Sequence, residues 1–111
     1  MKELFFAVAA IAAQNPHGFT ISLETLEPVK NGYCIALAET QNSFGAVGLE
    51  KVLTVAQQKN TAVGGWYDSK SGLYYYDAVI VCDSLEDALL LGKLNNQIAI
   101  FDLNAKQEIR L

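Results

Sequence analysis

Residues 62–81 constrain the fold more than any other stretch of the chain. Ala62–Tyr67 and Leu73–Val81 are rich in β-branched and aromatic residues, and Asp68-Ser69-Lys70-Ser71-Gly72 lies between them. Val, Ile, Trp and Tyr suit a pleated, half-buried surface. A short polar loop ending in a glycine that is free to take positive φ joins antiparallel strands. The segment therefore predicts a hairpin. Successive strand residues point to opposite faces, so Tyr74 and Tyr76 share one face and Tyr75 takes the other. A sheet covered on one side cannot hold all three in its core.

The rest of the chain supplies elements to cover and widen such a sheet. Leu4, Phe5, Val8, Ile11 and Ala12 fall on one face of a helix. The opposite face (Phe6, Ala7, Ala9, Ala10, Ala13) is nearly free of polar groups, so this helix is expected to be buried on both sides or to pack against a partner chain. Asn15-Pro16-His17-Gly18 breaks it. Phe19–Leu23 alternates as a half-buried strand, Thr25–Pro28 is turn-like, and Val29 begins a second extended piece interrupted by Asn31-Gly32. Tyr33–Ala38 is apolar throughout and reads as a central strand covered on both faces. Leu49, Val52, Leu53 and Ala56 mark a second helix, with Asn42 or Ser43 as its N-cap, ending near Lys59-Asn60. Ser84-Leu85-Glu86-Asp87 resembles a capping box opening a third helix, with Leu85, Ala88, Leu89 and Gly92 on its buried side. Gln97–Leu103 and Glu108–Leu111 close the chain as strands. The order α-β-β-α-β-β-α-β-β predicts one α+β domain over residues 1–111, with three helices packed on a mostly antiparallel sheet. A hydrophobic content of 51% in 111 residues suffices for a core of this kind.

Charge and cysteine usage narrow the function classes. The net charge is −4 and the eight basic residues are dispersed, which argues against backbone-driven nucleic-acid binding. Residues 4–13 have some look of a signal peptide, but Glu3 cancels Lys2 and the run is short, so the helix reading fits better. The same run is too short to span a bilayer. No membrane association is expected. Cys34 and Cys82 lie in apolar runs without metal-type spacing and read as reduced core thiols in a cytoplasmic protein. A lone His17 cannot form a multi-histidine metal site, and no cofactor motif is present.

Two segments carry the candidate chemistry. Glu39, Thr40, Gln41, Asn42 and Ser43 place five polar side chains after a buried strand and before a helix. That position offers free backbone N–H groups to a ligand. Capping the helix and satisfying loop backbone is the alternative use of the same residues. The second segment is Gly64-Gly65-Trp66-Tyr67-Asp68 with Tyr74-Tyr75-Tyr76-Asp77. Facing hairpin strands bring Trp66 or Tyr67 near the tyrosines, either as stabilising cross-strand pairs or as an aromatic interface formed by Trp66, Tyr67, Tyr74 and Tyr76. Asp68 and Asp77 are close enough in the hairpin to be weighed as an acid pair, though no third catalytic component accompanies them.

Asn15-Pro16-His17-Gly18-Phe19-Thr20, Thr40-Gln41-Asn42-Ser43-Phe44-Gly45, Gly64-Gly65-Trp66-Tyr67-Asp68 with Tyr76-Asp77, and Asn96-Gln97-Ile98-Ala99-Ile100-Phe101-Asp102-Leu103 together resemble small bacterial proteins of phages, plasmids and conjugative elements. The resemblance implies an accessory role in a mobile element and assigns no catalytic residue. The missing catalytic sets, the apolar first helix and the aromatic hairpin point to a non-enzymatic protein-binding or regulatory module that meets a protein partner or a second copy of itself, as a homodimer. A small-molecule binder or minor enzyme built on residues 39–43 is the alternative.

Overall fold

A computed structural model describes residues 2–111. In chain order the elements are α1 (Lys2–Gln14), β1 (Phe19–Ile21), β2 (Tyr33–Ala36), a 3-10 turn (Ala38–Thr40), β3 (Ser43–Phe44), α2 (Gly45–Lys59), β4 (Ala62–Asp68), β5 (Leu73–Cys82), α3 (Leu85–Leu94), β6 (Ala99–Asp102) and β7 (Gln107–Arg110). The protein is α+β: the described residues form three helices and a seven-stranded sheet whose strand pairs are all antiparallel.

The sheet grows outward from the β4–β5 hairpin, registered from Ala62↔Val79 to Asp68↔Leu73. Its loop closes through Gly72, which sits at φ +72° and donates its N–H to the Asp68 carbonyl at 2.8 Å. The Asp68 carboxylate accepts from the Lys70 N–H and the Ser71 hydroxyl, an aspartate turn that nucleates the bend. The strand order is β1-β4-β5-β2-β6-β7, with β3 pairing β5 beyond the end of β2. One flank of β5 is therefore shared by two short strands.

All three helices lie on one face. Val8 and Ala12 of α1 and Leu49, Val52, Leu53 and Ala56 of α2 bury against Ile21, Val63, Tyr76 and Ala78. Ala88 of α3 covers Ile35 and Ile100 in a second cluster. Strand alternation turns Thr20, Gly64, Trp66, Asp68, Tyr75, Asp77, Val79, Cys34, Ala36 and Phe44 to the other face, where no helix packs. That face is curled: the Thr20 hydroxyl on β1 reaches the surroundings of the Cys34 thiol, although β4 and β5 stand between their strands in the sheet order.

Several local expectations change. The predicted strand Tyr33–Ala38 stops at Ala36; helices cover one of its faces and the curl of the sheet encloses Cys34 on the other. The expected N-cap at Asn42 or Ser43 is absent, because Asn42 turns left-handed at φ +62° and Ser43 and Phe44 then pair with Tyr76 and Tyr75. The chain stays extended through Phe44, which caps α2 without a side-chain bond. Val29 starts no strand; a single bridge joins Pro28 to Ile21. Phe6, Ala10 and Ala13 leave the outer side of α1 exposed, so it is not buried on both sides. Leu85 is exposed as well, while Ser84 does cap α3 by accepting from the Asp87 N–H.

Candidate functional site

The end of β2 creates the site. After Ala36 the chain leaves β5 and returns to it only at Ser43, so the edge of β5 between those pairings needs another partner. Thr40 supplies it. Its hydroxyl accepts from the Ala78 N–H at 3.1 Å and donates to the Leu37 carbonyl at 3.3 Å, while the Leu37 N–H donates to the Ala78 carbonyl. Thr40 is wholly buried. The two residues after it, Gln41 and Asn42, are exposed and stand over the break.

Asp77 lies beside that break. Its register partner on β4 is Gly64, whose Cβ direction is met by the Phe19 carbonyl, Val79 and the Thr20 hydroxyl. A cleft of about 340 Å³ opens beside it on the helix-free face, lined by Ala36, Gln41, Asn42, Trp66, Asp68, Tyr75, Asp77 and Gln97. Trp66 and Tyr75 are register partners and stack across the strands with ring centroids 5.3 Å apart and planes 17° apart. Phe44 continues the row edge-on to Tyr75 at 5.6 Å. Trp66 keeps 47% and Phe44 44% of its surface exposed, so this aromatic row is a surface feature. Deeper in the curl, Val79 is buried.

The electrostatics of the cleft centre on Asp77. Burial pushes its carboxyl up to about 6, and among the described residues it has no hydrogen-bonding or ion-pairing partner. A desolvated carboxylate without a partner is costly. Asp68 is held below the usual carboxylate range, first by the Ser71 hydroxyl and then by the Lys70 N–H. On the same face, burial pushes the Cys34 thiol up to about 12, against the lowering influence of the Thr20 hydroxyl, with Asp77 adding to the rise. That thiol is a protonated core group rather than a nucleophile.

The five predicted loop residues separate in space. Gln41 and Asn42 line the cleft. Thr40 is the backbone bridge described above. Ser43 faces the helices with a buried hydroxyl that lacks a partner. Glu39 pairs with Lys59 at 2.9 Å on the exposed surface. The four aromatic candidates also divide. Trp66 borders the cleft, whereas Tyr67 points to the helix face, remaining exposed at the end of the hairpin. Tyr74 donates to the Asn15 carbonyl at 2.7 Å and stacks on Phe19. Tyr76 is 7% exposed and belongs to the core.

Sequence reasoning passed over Phe44, Ala36 and Gln97, and it named the segment holding Tyr75 but left that residue out of the aromatic interface. Tyr75 was within reach of the alternation argument, since it opposes Tyr74 and Tyr76 in parity. The suspected acid pair does not form across the hairpin. Asp77 faces Gly64, four positions along β4 from Asp68 (68 − 64 = 4), roughly 13 Å at ~3.3 Å per strand residue. That is beyond the ~5–9.5 Å over which carboxylate pairs act together in glycoside hydrolysis. No group of three or more His, Cys, Asp or Glu among the described residues is placed to hold a metal ion. None of the described helices is long and apolar enough to cross a membrane. Comparison with protein-family models, with curated proteins and with solved structures yields no match.

Proposed function

We propose that the protein is a protein-binding module whose docking face is the helix-free side of the sheet around the Asp77 cleft. The observation that carries this reading is the row Trp66–Tyr75–Phe44. It is aromatic, exposed at both ends and set beside a polar cleft. Trp and Tyr are the usual anchors of interfaces, where they contribute large contact area at low entropic cost. On the helix side Tyr74 and Tyr76 are consumed by packing, whereas this row is free to serve a partner.

The test uses the tagged chain and two variants in cross-linked capture from its native host. A stoichiometric protein partner retained by wild type and by Phe6→Ala on the helix side, but lost from a Trp66→Ala variant that stays folded at the capture temperature, supports this face. Loss from Phe6→Ala alone moves docking to α1 and overturns the proposal.

A second reading rests on the cleft itself. Its volume of about 340 Å³ is within the range of small-molecule sites, and Gln41 and Asn42 offer amides there. A co-purifying small molecule seen by native mass spectrometry, and lost on Gln41→Ala, favours that reading. The absence of any bound mass under gentle ionisation counts against it.

A further inference from the structure

The cleft's chemistry points to one kind of group. It presents a half-buried carboxylate with no partner (Asp77), a stacked aromatic pair (Trp66 and Tyr75) and three carboxamides (Gln41, Asn42 and Gln97). No Lys or Arg lines it; Lys70, in the hairpin loop, acts on Asp68. The site is therefore short of a cation at the position where the sheet has removed a carboxylate from water. Gly64 brings no side chain opposite Asp77, and its own Cβ direction is already met by the Phe19 carbonyl, Val79 and the Thr20 hydroxyl, so an entering side chain reaches Asp77 from the side bordered by Gln41, Trp66 and Tyr75.

We infer that the cleft is a receptor for a guanidinium group, the arginine side chain of a partner polypeptide, which pairs with Asp77 and lies against the Trp66–Tyr75 stack. The inference rests on the protein-binding reading above and names its anchor. Guanidinium fits better than ammonium for three reasons. It is planar and lies flat on aromatic rings. Its fork of N–H donors satisfies a carboxylate and neighbouring amide oxygens together. It is also less strongly hydrated than an ammonium, so less is lost when it leaves water. Asp68, with its carboxylate held ionised by the turn, extends the negative field along the cleft towards solvent.

Trp66 is the single tryptophan of the chain, so its emission reports on this site alone. The full chain is titrated at pH 7.5 with acetyl-Gly-Arg-Gly-amide, its lysine counterpart, its citrulline counterpart and free arginine. The expected result is a saturable change with the arginine peptide, several-fold weaker binding of the lysine peptide, and binding at least tenfold weaker for citrulline, which has the shape without the charge. Asp77→Asn, checked for an intact melt, is expected to weaken the arginine peptide at least tenfold and to erase its advantage over citrulline. No saturable response, equal binding of citrulline, or indifference to Asp77→Asn overturns the inference. Free arginine binding more tightly than the peptide overturns the assignment to a partner's side chain. The two proposals fail separately. Partner capture that depends on Trp66 but is untouched by excess arginine peptide leaves the docking face and removes the guanidinium anchor. Peptide binding lost in Asp77→Asn, with partner capture indifferent to Trp66→Ala, keeps the guanidinium pocket and removes the docking face.

Discussion

The β4–β5 hairpin shows two different surfaces built from alternate residues of the same two strands. On the helix side, Gly65 lies between Phe19 and Tyr74, with no room for a Cβ. Tyr74 is hydrogen-bonded and Tyr76 is buried in the main core. On the other side, Gly64 pairs with Asp77, Trp66 and Tyr75 stack at the surface, and the Asp77 carboxylate has no partner among the described residues. Both faces hold a glycine and a set of aromatics, so composition alone cannot tell them apart. What differs is whether the chain itself completes the contacts. Around Tyr74 and Tyr76 the helix side is closed by packing; the free side retains groups whose natural complements come from another molecule.

Truncation gives the largest contrast between the faces. Tyr76→Ala opens a cavity beneath α2, and such aromatic deletions cost about 3–5 kcal/mol. Trp66→Ala removes one exposed stacking partner and is expected to cost about 1 kcal/mol or less. Urea unfolding followed by far-UV circular dichroism reads both variants without relying on tryptophan emission. Equal losses would mean that the free face is as integral to the core as the helix face, and the contrast would fail.

Asp77 sharpens the contrast through pH. Its carboxyl titrates at about 6 in the folded protein against an ordinary 3.8, so between those values the folded state holds a proton that the unfolded chain has released. Stability from this group is complete below 3.8, declines as pH rises, and is lost above about 6. Among the groups lining the cleft, Asp68 is held below the usual carboxylate range and Asp77 is pushed up, so the two carboxyls respond to pH in opposite directions. At ~1.4 kcal/mol per unit, reduced because the cleft is open to water, Asp77→Asn is expected to stabilise the protein by about 2 kcal/mol at pH 7.5. The gain should vanish near pH 4. A destabilised variant at pH 7.5 would mean that the carboxylate already has a partner in the fold.

Thr40 and Gln41 are neighbours in sequence that fall on the two sides of the same distinction. Thr40→Val leaves the buried Ala78 N–H without an acceptor, a loss of about 1–3 kcal/mol. Gln41→Ala is expected to move stability by less than about 0.5 kcal/mol while weakening whatever the cleft holds. Thermal melts of the pair, with the arginine-peptide titration alongside, separate backbone support from recognition. A similar loss in both would return Gln41 to a structural role.

These residues also show what could be read in advance. The helices, the hairpin and the α+β order were legible because periodicity and turn chemistry are local. Gln41, Asn42 and Trp66 could be named from polarity and aromatic character. Their meeting with Asp77 depends on β2 ending at Ala36, and that end is made by a buried threonine hydroxyl replacing a strand partner, which leaves no pattern in an apolar run such as Tyr33–Ala38. The division of the tyrosines followed from alternation. Which set the helices would cover did not, because it depends on the register that pairs Trp66 with Tyr75 and on the side to which α2 returns.

Ser43 and Phe44 carry the same comparison into the shortest strand, where the expected effect is smallest. Phe44 joins the exposed aromatic row, while Ser43 turns its hydroxyl under α2, buried and without a partner. The space above Ser43 is closed by Gly48, where an added Cβ would meet the Ser43 carbonyl carbon at 2.6 Å. A hydroxyl that has left water without a replacement contributes nothing to folding, and replacing it with an apolar group is neutral or favourable. Ser43→Ala should therefore raise stability slightly, by no more than about 1 kcal/mol, and leave binding at the cleft unchanged because the side chain points away from it. A loss of 1 kcal/mol or more would show that the hydroxyl is satisfied on the helix side. That face would then be less completely closed by its own packing than the hairpin's tyrosines indicate.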